Sequence, residues 1–586
     1  MPTPPGPLRV AALVKQIPKF EDMRLGEDGR LVRDGVELHL NDYCRRAVRA
    51  GCDLATATGG SCTAITLGPP EAHTALREAI LCGCVGGLHV CDPAFAGSDT
   101  LATARALAAA LEANGPWDVV LCGRNSVDAD TGQVPAQVAE LLGLPLLAGV
   151  RELDVDGRTV RALLEHDDEW VRAEVELPAV LSCAERLCDP CKVKDPEAWA
   201  TVDGDLLTSV SAAELGPGPW GQDGSPTSVG EVRLLDVARA GERLEGAGPE
   251  AIERVAEVLE RRGALDEPTS LTSTVAPPTT GGPAVLVLAE RGRDPVTAEL
   301  VGAAAGIGAT TTVVGDGDPG TLAGQGADAL LKVEPHVDEE DLAAALAGLV
   351  ADDPPWAVLA PGTAWGRQVA ARLATRLGAG LTGDAVGLDT RGDRLVALKP
   401  AFGGRLVAEI TCSSPVQMAT VRPGVLPRPL PRAADPVPVV DLRATATGRV
   451  RVFERWRDDD ADLLANAEVV IGVGQGVEPG DLPLLQRYAD ALGAELCATR
   501  KVTDAGWMPR ARQVGITGHS IAPRLYVAVG TSGRFNHTVG VRQAGTIVGI
   551  NQDPDCELWE WCDVGLVADW RAALPALVER LAPSSG

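Results

Sequence analysis

The chain has 586 residues, 45% hydrophobic and 23% charged, a soluble globular composition with length for three or four domains. A formal net charge of −28 argues against nucleic acid as a partner, because phosphate recognition needs a basic face. No run reaches the about 18 uninterrupted apolar residues of a membrane span, and the N-terminus has no export signal, so the fourteen cysteines read as reduced thiols in a cytoplasm.

Leu8–Val14 reads as a first buried strand, followed by turn-forming Asp-Gly pairs in Gly26–Val36 that suggest a hairpin. Asn41 is placed to cap a helix over Asp42–Cys52. Strands at Cys62–Leu67, Gly86–Cys91 and Trp117–Cys122 alternate with helices, the last at Thr100–Ala113, which indicates a parallel sheet covered on both faces. At the last strand end Gly123 leads into Asp128, Asp130, Thr131, Gly132, Gln133 and Val134, just before a helix near Pro135. Two carboxylates, a hydroxyl and a glycine at a helix start suit a ribose and phosphate, or equally a capped helix.

Cys188 and Cys191 form a CxxC that reads as incidental thiols, since zinc needs a second ligand pair and only Cys183 is near. Pro249–Arg262 has Ile252, Val255 and Val258 on one helical face, and Leu265–Pro283, rich in Pro, Thr, Ser and Gly, reads as a linker. Strands restart at Ala284–Ala289, Thr310–Gly315, Ala329–Val333 and Trp356–Ala360. A proline-dense, extended hinge then runs through LPRPLPRAADPVPVVD. The acidic run Arg457–Asp460 reads as a solvated surface feature.

Towards the C-terminus, Val469–Ile471 opens into a glycine loop holding Gln475. The apolar run Leu525–Val529 stops at Gly530, with Thr531, Ser532, Gly533 and Arg534 next; Thr546–Ile550 stops at Asn551, with Asp553 behind it. Buried parallel strands that open into small polar turns are where doubly wound sheets bind nucleotides.

Five ordered pieces, ATR, QVGITG, APRLYVAVGTSGRFNH, INQDP and LVAD, resemble the FAD-binding domain of the electron transfer flavoprotein alpha subunit. VKQIP, HLNDYCRRAV, LGPPEAHTALREA, FAGSDTLATA and DADTGQV resemble the beta subunit of the same family, and PGTAWGRQVAARLATRLGAGLTGD with QMATVRPGV resembles the first domain of the alpha subunit. The resemblance implies beta and alpha subunits fused in one chain, beta half first. It implies an α/β fold: two related doubly wound, adenine nucleotide alpha hydrolase-like domains and a C-terminal Rossmann-type, DHS-like FAD domain. The expected divisions are a beta-like domain over 1–265, a linker over 266–283, an alpha-like domain over 284–435, a hinge over 436–448 and the FAD domain over 449–586.

The resemblance also assigns roles. Thr499, Arg500, Gln513, Val514, Gly515, Ile516, Thr517, Gly518, Gly530–Gly533, Arg534, His537, Asn551, Asp553, Asp569 and Trp570 would surround FAD. A flavin that accepts an electron gathers negative charge at its N1/O2 edge, where His537 as donor and Arg500 as cation would stabilise it. Family members carry an arginine where Gln475 stands, and losing that charge lowers the flavin's potential or changes which reduced form persists. Leu13, Asn41 and Leu67, with Gly123, Asp128, Asp130, Thr131, Gly132, Gln133 and Val134, would hold a second nucleotide, AMP or a second FAD. The alpha-like domain is expected to hold none. An altered segment at Cys188–Trp199, without the family's leucine anchor, puts an acyl-CoA dehydrogenase partner in doubt. The implied function is electron carriage from a flavin dehydrogenase to a quinone oxidoreductase or similar acceptor, rather than conversion of a substrate. Oxidation of NADH with two FADs, and non-redox adenine-nucleotide binding, are the alternatives.

Overall fold

The computed structural model describes the chain except residues 1–5, 19–23, 26–30, 33–36, 168, 235–238, 240, 265–280, 335–336, 402–405, 458–462, 465–466, 516–517, 520, 539, 543 and 583–586. It forms two compact units, Met1–Leu234 with Ser273–Trp456, and Leu235–Thr272 with Arg457–Gly586.

The first unit is built on two large sheets. Arg9–Val14, buried along Val10–Val14, lies parallel between Ser61–Leu67 and Val119–Gly123, and these strands are the middle of a ten-stranded sheet. Helices Asp42–Thr58 and Thr100–Asn114 cover it. The first helix runs past Cys52 to Thr58 because Leu54, Ala55 and Thr58 keep its buried face going; Gly59, at a φ of 69°, ends it. The second sheet has seven strands, all parallel, with Ala284–Ala289 between Ala357–Pro361 and Thr310–Gly315. Helix Ala364–Leu377 follows the end of strand Ala357–Pro361.

The two halves of this unit are interlaced. Strand Thr227–Leu234, from the N-terminal half, pairs antiparallel with Leu406–Cys412 in a four-stranded sheet otherwise made by the C-terminal half. In return Val450–Arg457 forms the last strand of the ten-stranded sheet, where Trp456 stacks on Trp170 at 6.4 Å. Between the halves, Arg372 pairs with Glu140 at 3.0 Å, both largely buried.

In the second unit six parallel strands run in the spatial order Glu242–Glu245, Val564–Val567, Thr546–Asn551, Leu525–Val529, Val469–Val473, Glu495–Ala498. Helices Pro249–Arg261 and Trp570–Leu581 share one apolar core, through Ile252, Val255, Leu574 and Leu577.

The divisions therefore differ from those expected. Residues 242–261 belong to the C-terminal unit, because Glu242–Glu245 pairs with Val564–Val567 and Arg239 forms a buried ion pair with Asp563 at 2.6 Å. Val450–Trp456 stays with the first unit through its strand pairing. Part of the proline-dense hinge also forms a strand, Val439–Leu442, beside Ala329–Val333. Most of the expected linker, and Asp458–Asp460, lie outside the described residues.

The cysteine reading needs one correction. Cys191 is bonded to Cys82, across 109 residues of sequence, and the other twelve cysteines are free thiols. Sequence alone placed Cys191 beside Cys188, while folding brings it to the end of helix His73–Leu81. Denatured without reductant, the chain should react with twelve equivalents of a thiol reagent and gain two more after reduction; fourteen at the outset would contradict the bridge.

Candidate nucleotide sites

In the C-terminal unit the parallel strands bring the expected ligand residues to one sheet edge. Gly474–Gly476 follows Val473, Thr499 follows Ala498, Gly530–Gly533 follows Val529, Asp553 follows Asn551, and Asp569 follows Val567. The first two glycine loops meet backbone on backbone. Gly476 N–H donates to the Gly530 carbonyl at 3.0 Å, and a Cβ on Gly474 would lie 2.1 Å from that same oxygen. Gly530 has a φ of 61°, so side chains are excluded by conformation as well as by space.

Behind this contact the Thr531 hydroxyl is buried without a hydrogen-bond partner among the described residues. Leaving such a group unsatisfied costs about 1–3 kcal/mol, which a bound phosphate or hydroxyl would recover. Asn551 holds the loop in place. Its Nδ2 donates to the Thr531 carbonyl at 2.8 Å, and its Oδ1 accepts from the Asp553 N–H at 2.9 Å. Gln475, Ser532 and Arg534 are exposed here.

Other expected residues are committed elsewhere. Thr499 N–H donates to Val473 O at 3.0 Å, while Arg500 pairs with Asp504 at 3.0 Å and is 41% exposed. Gln513 is buried and accepts from the Thr503 hydroxyl at 2.7 Å; Val514 N–H donates to Ala498 O at 3.0 Å, placing both residues beside the edge strand. Gly515 has a φ of 136°, and a Cβ on Gly518 would lie 2.2 Å from Gln513 O. Asp569 caps the last helix by accepting from Arg571 N–H at 2.9 Å, and Trp570 packs into the core beside that helix. Ile516 and Thr517 lie outside the described residues.

His537 differs most from expectation. It is buried, its Nδ1 lies 2.9 Å from the Val514 carbonyl, and its Nε2 lies 2.6 Å from the Tyr526 hydroxyl. Burial pushes its pKa down to about 4. The ring is therefore neutral at pH 7: Nδ1–H donates to Val514 O, and Nε2 accepts from Tyr526. Both nitrogens are occupied within the protein. Tyr526, which sequence reasoning passed over, has room because a Cβ on Gly472 would fall 1.7 Å from its hydroxyl oxygen. A tyrosine inside an apolar strand was the available signal, since a buried phenol seeks a partner.

In the first unit, Asn41 is fully buried, but its side chain does not cap the helix it precedes. Its Nδ2 donates to Asn125 O at 2.8 Å and its Oδ1 accepts from Val127 N–H at 3.3 Å, pinning the loop that carries Asp128–Val134. Asn125 supports the same loop by accepting from Gly132 N–H at 2.9 Å, and Lys15 pairs with Asp128 at 2.8 Å. Leu13 is buried and Leu67 half-buried at the ends of the flanking strands, with Gly123 at the end of the next. A Cβ on Gly123 would press on the Tyr43 backbone at 2.9 Å.

The rest of the loop faces the second sheet. Gln133 donates to Leu381 O at 3.3 Å and accepts from the Thr100 hydroxyl at 2.7 Å, and a Cβ on Gly383 would lie 3.3 Å from the Thr131 backbone. Gly132, at a φ of 62°, packs beside Arg367; Val134 starts the next helix. Asp130, at a φ of 47°, reaches the surface, yet desolvation by the surrounding protein and then Asp384 push its pKa up. Burial opposes ionisation of Asp384 too, but Arg422, at 3.1 Å, holds it below the usual carboxylate range.

At the start of helix Ala364–Leu377 a carboxylate from the other half takes the helix N-terminus, as Asp167 Oδ2 accepts from Ala364 N–H at 2.7 Å. Desolvation opposes its ionisation, but Arg367, Arg293 and Arg124 hold the surface-reaching Asp167 at about 2. Arg367 thus acts on both Asp130 and Asp167, a role its sequence position did not signal.

The chain matches the electron transfer flavoprotein domain over residues 28–205 and 285–447, and the electron transfer flavoprotein FAD-binding domain over 463–542. The chain belongs to the electron transfer flavoprotein family. It is similar to the alpha subunit from Thermoanaerobacterium thermosaccharolyticum, at 35% identity over 41% of this chain and 76% of that subunit. It is also similar to the beta subunit from the same organism, at 32% identity over 44% of this chain and 99% of that subunit. Protein FixB of Azorhizobium caulinodans is 38% identical over 41% of this chain and 69% of its own length. This electron transfer flavoprotein thus unites beta-like and alpha-like regions in one polypeptide, and its second unit carries the FAD-binding match. The partnerless Thr531 hydroxyl and the side-chain-free glycine contact fit a phosphate-bearing cofactor there.

The His537 environment has a pH signature. A histidine whose folded pKa is lowered from 6.5 to about 4 contributes stability that is present above pH 6.5 and lost as pH falls towards 4. Urea unfolding of this electron transfer flavoprotein should show that loss for the C-terminal unit. Tyr526→Phe, which leaves Nε2 unsatisfied, should destabilise the same unit by about 1–3 kcal/mol; an unchanged midpoint would contradict the hydrogen bond.

Proposed function

We propose that the chain carries electrons from a flavin dehydrogenase to a quinone oxidoreductase or similar acceptor, both proteins, through FAD in the C-terminal unit of a cytoplasmic protein. The observation that carries the reading is the buried, partnerless Thr531 hydroxyl beside the closed glycine loops, within a family whose members transfer electrons through flavin. FAD supplies the redox chemistry when bound. The chain's own residues bind and orient it. Thr531, Ser532 and the N–H groups near Gly533 suit the pyrophosphate, and Asn551, Asp553 and Asp569 suit the adenosine end. Gln513, Arg500 and Thr517 suit the flavin end. His537 acts as a neutral group, and its hydrogen bonds to Val514 and Tyr526 fix the backbone that Gln513 enters. No described helix is long and apolar enough to cross a membrane, which is consistent with protein partners met in solution.

The loop Asp128–Val134 is the second proposed site, for an adenylate group belonging to AMP or to a second FAD. Its support is the scaffold of Asn41 and Asn125 that holds the loop at a parallel strand end.

Heat release of bound nucleotides, separated chromatographically, tests both assignments. FAD with AMP supports the carrier reading with a structural adenylate, and two FADs per chain with NADH oxidation indicate bifurcation instead. Absence of FAD overturns the proposal. Thr531→Val, which keeps shape but removes the hydroxyl, should weaken FAD binding by about one to two orders of magnitude, the equivalent of about 1–3 kcal/mol, while the nucleotide-free chain becomes no less stable.

A further inference from the structure

The first unit contains a thiol cluster that neither nucleotide site uses. Cys52 comes from helix Asp42–Thr58, Cys62 from strand Ser61–Leu67, and Cys84 from the turn just after the disulfide-bonded Cys82. The Sγ of Cys84 lies 3.8 Å from that of Cys52 and 3.8 Å from that of Cys62, and all three fall within 4.8 Å of one another. Their relative exposures are 9%, 1% and 4% for Cys52, Cys62 and Cys84, so the triad is closed on two sides and nearest to solvent at Cys52.

The separations are far longer than the about 2.05 Å of a disulfide, so no pair is bonded. They match a different geometry. With two edges of 3.8 Å and a third of at most 4.8 Å, the point equidistant from the three sulfurs is about 2.1–2.5 Å from each, a range that includes the about 2.3 Å of a metal–thiolate bond. Local packing converges on the same point. A Cβ on Gly51 would press on Cys62 Sγ at 2.8 Å, and one on Gly83 would touch Cys52 Sγ at 3.4 Å, so glycines flank the sulfurs. Beyond them the walls are apolar, with Val10 and Leu121 next to Gly51.

We propose that Cys52, Cys62 and Cys84 form a binding site for a soft, thiophilic cation, with the cuprous ion as the best fit. Sulfur donors select soft metals over hard ones. Zinc takes four ligands in structural sites, whereas this triad offers three in apolar surroundings. On binding, the three thiols release three protons to solvent, since the thiolate and not the thiol ligates the metal, and cation and ligands together carry two negative charges. Cys52, the most exposed of the three, is the entry side.

The test uses the FAD-loaded full-length protein with its Cys82–Cys191 bond intact, titrated anaerobically with cuprous ion against a chromophoric cuprous chelator. The wild type should withdraw one equivalent from the chelator. Cys62→Ala/Cys84→Ala should lose that equivalent, whereas Cys188→Ala and Cys556→Ala should keep it. FAD content and thermal unfolding report whether each variant folds; if the double variant does not, Cys52→Ser at the rim is read by the same titration. Failure of the wild type to compete, equal uptake by the double variant, or loss of uptake in the two control variants would overturn the site. Tight zinc uptake without cuprous uptake would overturn the choice of ion.

Discussion

The C-terminal unit depends on a contact that only glycine can make. Gly474 and Gly476 lie against Gly530 with no space for a Cβ, and this closes two adjacent strand ends into one surface. Thr531, next to this contact, is buried with a hydroxyl that no described residue satisfies, while Asn551 fixes its carbonyl from the next strand. The site is therefore a property of backbone geometry first and of side chains second. That ordering suits a carrier whose chemistry belongs to its cofactor.

Fusion of the two subunit types in one chain is accompanied by exchange of elements between regions. Thr227–Leu234 completes a sheet of the alpha-like half, Val450–Arg457 extends the sheet of the beta-like half, and Glu242–Arg261 is built into the FAD-binding unit. Inside the first unit the charged residues follow the same logic. Asp167 crosses from one half to take the helix start of the other, and Arg367 crosses back towards Asp130. A helix start that is filled by a carboxylate is a poor place for a phosphate.

Strands whose residues are mostly buried were legible from sequence. Ala284–Ala289, Thr310–Gly315 and Leu525–Val529 stand where their apolar runs place them. The strand-end loops were legible for the same reason, because glycine and small polar residues follow directly. What was not legible depends on partners distant in sequence. Asn41 looks like a cap, yet its amide is claimed by Asn125, 84 residues away. His537 looks like a free donor until Tyr526 and Val514 occupy both nitrogens. The Cys82–Cys191 bond and the Cys52, Cys62 and Cys84 triad likewise arise from helix, strand and turn meeting in space, and spacing along the chain carries no trace of them.

The central claim is that FAD binds where the glycine loops meet. Hydrogen–deuterium exchange of the FAD-loaded chain against the nucleotide-stripped chain tests it directly. The account predicts that FAD protects peptides covering Gly474–Gly476, Gly530–Gly533 and Asn551–Asp553. Unchanged exchange at all of these, with protection appearing elsewhere, would contradict it.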